Sequence, residues 1–235
     1  MGRIFETRKH KIFARMDKMA KAFTKIGKEI AMAVKQGGGD PHNNPRLRVA
    51  IQNAKAVNMP KDRVDAAIKR AVSKDESNYE EAVYEGYGPN GVAILIEAAT
   101  DNPTRTIANI RLIFSKAGGA VGKSGSLDFL FTRKCVFQID PAGLNMDDLE
   151  LALIDMGADD IQVEEGVVIA YAPFTNFGTM QKALEEGNFK VISSQLERIP
   201  NTFVETTEEQ TDEILKMVEK LEEDDDVQNV FHNLK

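Results

Sequence analysis

The spacing of apolar residues near the N-terminus, followed by three consecutive glycines, constrains this chain more than any other feature. The apolar positions recur every three or four residues, as on one face of an α-helix. They are Ile12, Met16, Met19, Phe23, Ile26, Ile30 and Val34. Because glycines 37–39 remove the preference for helix, the pattern predicts one long amphipathic helix that ends there.

Two shorter helices are predicted after the polar loop 40–45. Pro60 interrupts the helical pattern and suits the first turn of the third helix. The inner faces of the two helices are Leu47, Ala50, Ile51, Ala54 and Val57, and then Val64, Ala67, Ile68 and Ala71. The polar stretch 73–78 indicates a linker. Residues 1–76 are therefore predicted to form a basic three-helix domain, which we call the head.

The remainder of the chain, which we call the body, alternates predicted strands and helices. After a turn at 86–91, a strand (92–98), a helix from Pro103 to Gly118 and a strand (127–131) form one β-α-β unit. Segments 202–205, 208–221 and 227–231 form another. Between them lie six segments in the order β-α-β-β-α-β, the pattern of a ferredoxin-like domain. They are 135–139, 147–156, 161–164, 167–171, 174–186 and 191–196.

The predicted fold class is α+β, a three-helix N-terminal domain followed by two ferredoxin-like α/β domains, one inserted in the other. The two outer β-α-β units, 77–133 plus 201–235, form the discontinuous domain, and residues 134–200 form the inserted one.

Charge is divided unequally between the head and the body. Residues 1–75 hold 18 lysines and arginines against 7 aspartates and glutamates, whereas the remaining 160 residues hold 12 against 30. The overall net charge of −7 hides this division. A concentrated positive charge favours a polyanionic partner, and here it would bind the head alone.

Ten cations of the head are candidate phosphate contacts, which give affinity and salt dependence but little sequence preference. They are Arg15, Lys18, Lys25, Lys28, Arg46, Arg48, Lys55, Lys61, Lys69 and Arg70. Aromatic residues that could stack on bases are few in the head, and Phe23 is expected in its core. No helix-turn-helix spacing is visible.

Two loops and one arginine are further candidates. The glycine-proline loop that contains Gly38, Gly39, Asp40 and Pro41 is either a connector or a probe of nucleic acid. Arg105 could bind phosphate, although pairing with an acidic residue four positions earlier is favoured.

The segment Gly118–Ser124 ends in Gly-Lys-Ser but does not fit a phosphate-binding P-loop. Ala117 stands where the first glycine is required, and the segment leaves a helix and enters a strand, the reverse of the P-loop context. It is either a helix cap with a flexible turn or a mobile loop whose amides and Lys123 contact nucleic acid or peptide.

Several classes of site and compartment are disfavoured. The single cysteine, Cys135, excludes an internal disulfide and a thiolate metal cluster. No apolar run approaches the ~20 residues of a membrane helix, and no secretory leader is recognisable, so a cytoplasmic protein is expected. No cofactor is expected. The acidic run 222–226 is a solvated helix end, a Mg²⁺ site or a shield against nonspecific binding by the head.

Other functions are less well supported than nucleic-acid binding. A metal-dependent nuclease could use Glu97, Asp101, Asp159 and Asp160, but no acid–base pair at fixed spacing supports catalysis. We therefore expect no enzyme, no catalytic residues and no small-molecule substrate. A protein-interaction adaptor is the third class.

Six motifs in order resemble the YebC/PmpR family. They are Gly37–Arg48, Asn53–Asp62 running into Ala67–Arg70, Tyr84–Gly91, Thr100–Thr106, Gly118–Ser126 and Asp224–Gln228. The resemblance covers nearly the whole chain. It departs at the N-terminus, where the usual His-Ser-Lys-Trp is replaced by Met-Gly-Arg-Ile-Phe-Glu.

The resemblance implies three domains and a bacterial cytoplasmic protein that acts as a DNA-binding transcriptional regulator, with no catalytic residues. Mitochondrial relatives resemble translational activators, and bacterial relatives have been linked to ribosomes stalled on proline-rich peptides. The alternative function is therefore a ribosome-associated factor that binds ribosomal or transfer RNA.

Overall fold

The computed structural model describes residues 3–73 and 78–235, with side chains from Met19 onward. It confirms the predicted fold class: helices at the N-terminus are followed by two four-stranded antiparallel sheets. No helix in the described ranges is long and apolar enough to cross a membrane.

The head contains α1 (Arg3–Gly37), α2 (Pro45–Ala56) and α3 (Lys61–Ser73). Their shared core is made of Ile26, Ile30, Ala33, Val34, Leu47, Ala50, Ala54, Val64 and Ala67. Phe23 was expected in this core but is only half-buried, with the Arg63 guanidinium 5.7 Å from its ring centre. Met19 is 40% exposed, so among described side chains the apolar face of α1 enters the core from Ile26 onward. The predicted linker lies largely outside the described residues.

Asn44 fixes the turn between α1 and α2. Its side-chain oxygen accepts from the Leu47 amide at 3.1 Å, which caps α2. Its side-chain nitrogen donates to the carbonyls of Ala33 and Gly38 at 2.7 and 2.8 Å. Gly38 has a φ of +82°, in the left-handed region that glycine adopts without strain.

The inserted domain contains β4 (Phe131–Ile139), α5 (Met146–Asp155), β5 (Asp160–Glu164), β6 (Val167–Pro173), α6 (Phe177–Glu186) and β7 (Val191–Pro200). The strand order β5-β6-β4-β7 is that of a ferredoxin-like sheet. Both helices pack on one face, around Phe137, Leu153 and Leu184. Phe131 at the start of β4 pairs with Pro200 at the end of β7, so the insert enters and leaves through neighbouring strands.

The discontinuous domain contains β1 (Glu80–Tyr87), β2 (Ala93–Thr100), α4 (Pro103–Lys116), β3 (Ala120–Val121), α7 (Glu208–Glu222) and β8 (Val227–His232). Its strand order is β3-β1-β2-β8. Strand β1 therefore lies between β3 and β2 in the sheet, although it precedes the first predicted β-α-β unit in the sequence. The two helices pack on one face around Ile96, Phe114 and Leu221.

Two predicted strands of this domain were wrong, and one predicted turn is present with a later start. The turn expected at 86–91 begins within β1, where Gly86 is required because a Cβ would lie 2.6 Å from the Ala120 carbonyl oxygen. Residues 127–131 are not a strand: 128–130 form a 3-10 turn, and β3 takes the position after α4. Residues 202–205 make only an isolated bridge, from Val204 to Leu234.

Candidate nucleic-acid interface

Lys28 is not available to a polyanion, because it joins the head to the body. Its ammonium group is buried and lies 2.7 Å from a carboxylate oxygen of Asp226. It also donates to the carbonyls of Asp225 and Ala99, at 2.7 and 3.1 Å. With its donors engaged by the body, Lys28 acts as an anchor of α1 rather than a phosphate contact.

Asp226 is the centre of that anchor. The same carboxylate accepts from Arg105 at 2.6 Å and from the Thr106 hydroxyl at 2.8 Å. Burial alone would raise its pKa, but the hydrogen bonds from Arg105, Lys28 and Thr106 outweigh burial and hold the pKa of Asp226 at about 2. The acidic run 222–226 thus contributes a buried structural carboxylate, a role that none of the three sequence interpretations included.

Arg105 is consequently occupied within the body. Its guanidinium lies 2.9 Å from Asp101 and 2.6 Å from Asp226. The segment around it is held by the same network, because the Thr106 hydroxyl also lies 3.1 Å from the Asn102 carbonyl oxygen and 2.8 Å from the Thr100 hydroxyl. The positive charge of Arg105 is therefore compensated by two carboxylates, which weakens the case for a phosphate contact there.

Lys25 of α1 and the two arginines at the start of α2 also contact the body or the loop. Lys25 donates to the Gln228 carbonyl at 3.1 Å, and burial lowers its pKa. Arg46 forms an ion pair with Glu81 and donates to Gln36. Arg48 donates to the Pro41 and His42 carbonyls and pairs with Glu185 of the inserted domain at 3.2 Å.

Four of the ten head candidates remain exposed and unpaired within the described part of the chain. They lie at the end of α2 and at both ends of α3, and we call them the basic rim: Lys55, Lys61, Lys69 and Arg70. The side chains of Arg15 and Lys18 lie outside the described residues. The interface predicted from sequence is therefore reduced, among described side chains, to this rim.

The glycine-proline loop is braced rather than free. The Asp40 carboxylate accepts from the His42 amide at 3.0 Å and from the Asn43 side chain at 2.6 Å. Gly39 lies against Val72 of α3, where a Cβ would be 2.6 Å from a valine methyl. Gly38 is exposed and Pro41 is half-buried.

The loop that carries Lys123 is held by Glu85, a buried glutamate. The Glu85 carboxylate accepts from the amides of Gly125 and Leu127 at 2.7 and 2.6 Å, and its carbonyl accepts from Gly122. These amides are therefore already engaged and cannot cradle a phosphate. Lys123 itself is exposed.

The head docks on the inserted domain through side-chain amides that take the place of a neighbouring strand. The Asn53 side chain donates to the Ser194 carbonyl at 2.9 Å and accepts from the Ser194 amide at 3.1 Å. Gln52 donates to the Val191 carbonyl at 2.7 Å. Strand β7 is an edge strand, and α2 covers the hydrogen-bonding groups that such an edge would expose.

A cleft of about 380 Å³ lies beside this contact, between α2 and the α6–β7 corner. Its lining joins apolar and charged side chains from both domains. They are Pro41, Arg48, Ile51, Gln52, Lys55, Gln181, Glu185, Phe189, Lys190 and Val191. The cleft was missed in the sequence because its two walls are more than 100 positions apart.

The acids considered for a nuclease do not converge. Glu97 pairs with Arg198 at 2.8 Å, Asp101 with Arg105, and Asp159 with Lys134, while Asp160 accepts from Gln162. Within residues 3–73 and 78–235, no group of three or more His, Cys, Asp or Glu side chains is arranged to hold a metal ion.

Comparison with known proteins identifies relatives along the full length. A family model described as the TACO1/YebC protein N-terminal domain matches residues 3–74, and one for the TACO1/YebC second and third domain matches residues 79–234. A "probable transcriptional regulatory protein" of Cytophaga hutchinsonii is 59% identical, covering 100% of this chain and 98% of its own. One of Parabacteroides distasonis is 57% identical, with 100% and 97% covered.

A solved structure supports the same relationship. The crystal structure of a conserved hypothetical protein from Aquifex aeolicus is 36% identical and superimposes with a TM-score of 0.80. The match covers 92% of this chain and 90% of that one. Together with the two family models, which span the head and the body, these relatives show that the chain belongs to the TACO1/YebC family.

Proposed function

We propose that this chain is a nucleic-acid-binding regulatory protein, without catalytic activity, that contacts phosphates through the basic rim. One observation carries the proposal: the acidic body pairs with or covers the other described cations among the head candidates, and leaves these four exposed. If the cations of the head served only to keep its surface hydrated, there would be no reason for the body to pair some of them and leave these four exposed. The names of the relatives, probable transcriptional regulatory proteins, support DNA as the polyanion.

The rim is tested by the salt dependence of binding. Each cation that contacts a phosphate releases a counterion, so removing it should lower the slope of log affinity against log salt by about 1. We expect Lys61→Ala, Lys69→Ala and Arg70→Ala each to do so, in fluorescence anisotropy with duplex DNA and with structured RNA. Lys216→Ala and Lys220→Ala, which remove exposed lysines of α7, are matched controls. Equal slopes in all five variants would remove the basis of the proposal.

A ribosome-associated factor is the second candidate. The observation that favours it is the docking of α2 on the inserted domain. The side chains of Gln52 and Asn53 are hydrogen-bonded to β7, so the face of α2 that carries them is not free to enter a major groove. Recognition through phosphates and shape suits folded RNA as well as DNA. Crosslinking in cells, followed by sequencing of the bound nucleic acid, separates DNA from RNA.

Two further measurements decide between the candidates. Transcriptional regulation requires that specific promoter DNA binds more tightly than random duplex. The ribosomal alternative requires that the protein sediments with ribosomes at physiological salt. A protein that binds promoters selectively and leaves the ribosome fraction empty supports the first and rejects the second.

A further inference from the structure

The cleft between the head and the inserted domain combines three features that the basic rim lacks. It is concave, its floor is apolar, and cations stand around it. The floor is made of Ile51 from α2 and Phe189 and Val191 from the inserted domain, all half-buried. A pocket of about 380 Å³ falls within the size range of small-molecule sites.

The charges around the cleft are positive in excess. Lys55 is exposed and unpaired within the described residues, and Lys190 is exposed although its ammonium group lies 2.5 Å from Asp140. Glu185 is the acid of the lining, and Arg48 compensates it at 3.2 Å. An anionic ligand with an apolar, flat portion is complementary to this arrangement.

The position of Lys55 connects the cleft with the basic rim. This lysine belongs to the rim and also lines the cleft. A strand whose phosphates follow the rim along α3 and the end of α2 would therefore reach the cleft with its next nucleotides. Base stacking on an aromatic ring next to cations is the usual arrangement in proteins that bind single strands.

We propose that the cleft holds one unpaired nucleotide of a bound single strand, with its base against Phe189 and Ile51 and its phosphate between Lys55 and Lys190. This rests on the proposed function and deepens it, because it specifies an unpaired segment, in RNA or in DNA, as the preferred ligand. A base within a duplex is stacked and paired, and cannot enter the cleft without being extruded.

The test uses the full chain and an oligonucleotide of about 12 bases that carries one photoreactive 4-thio base at its centre. RNA and DNA forms are compared, each single-stranded and paired with its complement. After irradiation, the crosslinked peptide is identified by mass spectrometry. We expect adducts in segments 41–55 or 181–191 with the single strand, and several-fold fewer with the duplex. Adducts confined to other segments would overturn the proposal.

Two substitutions test the cleft independently of crosslinking. Lys190→Ala should weaken single-strand binding several-fold, whereas Lys182→Ala, on α6 but not in the lining, should not. Phe189→Leu keeps an apolar side chain and removes the ring, so it should weaken binding of the single strand more than of the duplex. Thermal unfolding checks that this variant folds; if it does not, the lysine pair alone decides.

The outcomes separate this proposal from the proposed function. If no oligonucleotide binds, both fail. If binding depends on Lys61, Lys69 and Arg70 but Lys190→Ala and Lys182→Ala bind alike, the nucleic-acid function stands and the cleft is rejected. If RNA and DNA single strands crosslink equally at Phe189, the shared chemistry of base and phosphate is sufficient for recognition.

Discussion

At the scale of single residues, the buried carboxylate of Asp226 joins three elements of the fold through hydrogen bonds. It receives an ammonium, a guanidinium and two hydroxyl groups, from α1, α4 and the end of β2. Removing one partner of a buried pair leaves an uncompensated charge, which costs more than the pair itself contributes. The loss of Asp226 is therefore expected to release the head as well as to lower stability.

Asp226→Asn should lower the free energy of unfolding by about 3 kcal/mol, because Lys28 stays buried without its counter-charge. Asp225→Asn is the matched control, since the neighbouring side chain is exposed. Urea unfolding of both variants measures the difference. Equal midpoints for the two would show that the buried pair contributes nothing.

The pH dependence of this pair follows from its lowered pKa. The carboxyl is ionised in the folded chain down to about pH 2, whereas its usual value is 3.8. The stabilisation is therefore complete above the usual pKa and is lost as pH falls from 3.8 towards 2. The acid limb of a stability–pH profile should be flattened in Asp226→Asn.

Glu29 is expected to act in the opposite direction. Burial raises its pKa from 4.5 to about 7, although Arg46 and Lys25 pull it downward. The folded state thus favours the protonated form, so its contribution is full below pH 4.5 and is lost as pH rises through 7. Glu29→Gln should raise the melting temperature at about pH 8.5 by several degrees, at about 2–4 °C per kcal/mol, and change it little at about pH 4. A uniform shift at both values would contradict this.

At the scale of elements, the edge of β7 shows how a helix can replace a strand. An amide side chain carries an N–H donor group beside a carbonyl acceptor, so it can make the same pair of hydrogen bonds that a β-strand residue makes with its neighbour. Asn53 uses both on Ser194, and Ser194 is fully buried. The contact therefore satisfies backbone groups that would otherwise be left unpaired away from water.

Asn53→Ala should expose that edge locally. We expect faster hydrogen exchange at the Ser194 amide and a loss of about 1–3 kcal/mol, the cost of an unsatisfied buried group. Lys55→Ala, two positions along the same helix and exposed, should change neither quantity. Unchanged exchange at Ser194 in the Asn53 variant would mean that the head and the insert are held by other contacts.

Much of this architecture was predictable from periodicity, and the failures have physical causes. Helices α1 to α3 and most elements of the insert follow apolar spacing. Leu127, Phe129 and Phe131 also alternate like a strand, yet a 3-10 turn at 128–130 leaves Phe129 71% exposed while Leu127 and Phe131 are buried. Strand β1 was missed because acidic residues and Gly86 obscure its pattern.

The candidate site was predictable only in part. Charge counts located the concentration of positive charge in the head, and the basic rim lies at helix ends, where the sequence pattern places these residues. Which cations the body would cover depends on contacts such as Lys28 with Asp226, which are 198 positions apart. Such pairs form where folded domains contact each other, and the periodicity of residues within one helix or strand carries no information about those contacts.

At the scale of the whole molecule, some acidic residues of the body pair with cations of the head, as Asp226 does with Lys28. Other acidic residues of the body are exposed to solvent. Helix α7 presents Glu208, Glu209 and Glu213 to solvent. Exposed like charges repel a polyanion over roughly a Debye length, about 10 Å at 0.1 M salt. The body is therefore expected to slow nonspecific association with the head.

Replacing Glu208, Glu209 and Glu213 together by glutamine should raise the association rate with random single strands at about 50 mM salt and leave it unchanged at about 500 mM, where charges are screened. Stopped-flow fluorescence measures both rates. Substituting Asp147, Asp148 and Glu150 of α5, three exposed acids of the inserted domain, removes the same charge from a different place. A similar acceleration in both triple variants would indicate net charge rather than position.

The sheet of the discontinuous domain combines β1, β2 and β3 with β8, which follows the insert in the sequence. This arrangement sets the order in which parts of the protein can fold during synthesis. The three helices of the head emerge first and can fold at once, and the insert closes when Pro200 is available. Asp226 and β8 arrive last. Until then Lys25 and Lys28 lack their partners in the body, Gln228 and Asp226. The head of the nascent chain therefore exposes more positive charge, and we expect it to bind polyanions more strongly than the head of the folded protein does. Synthesis of Asp226 and β8 is the step that supplies the partners of these lysines.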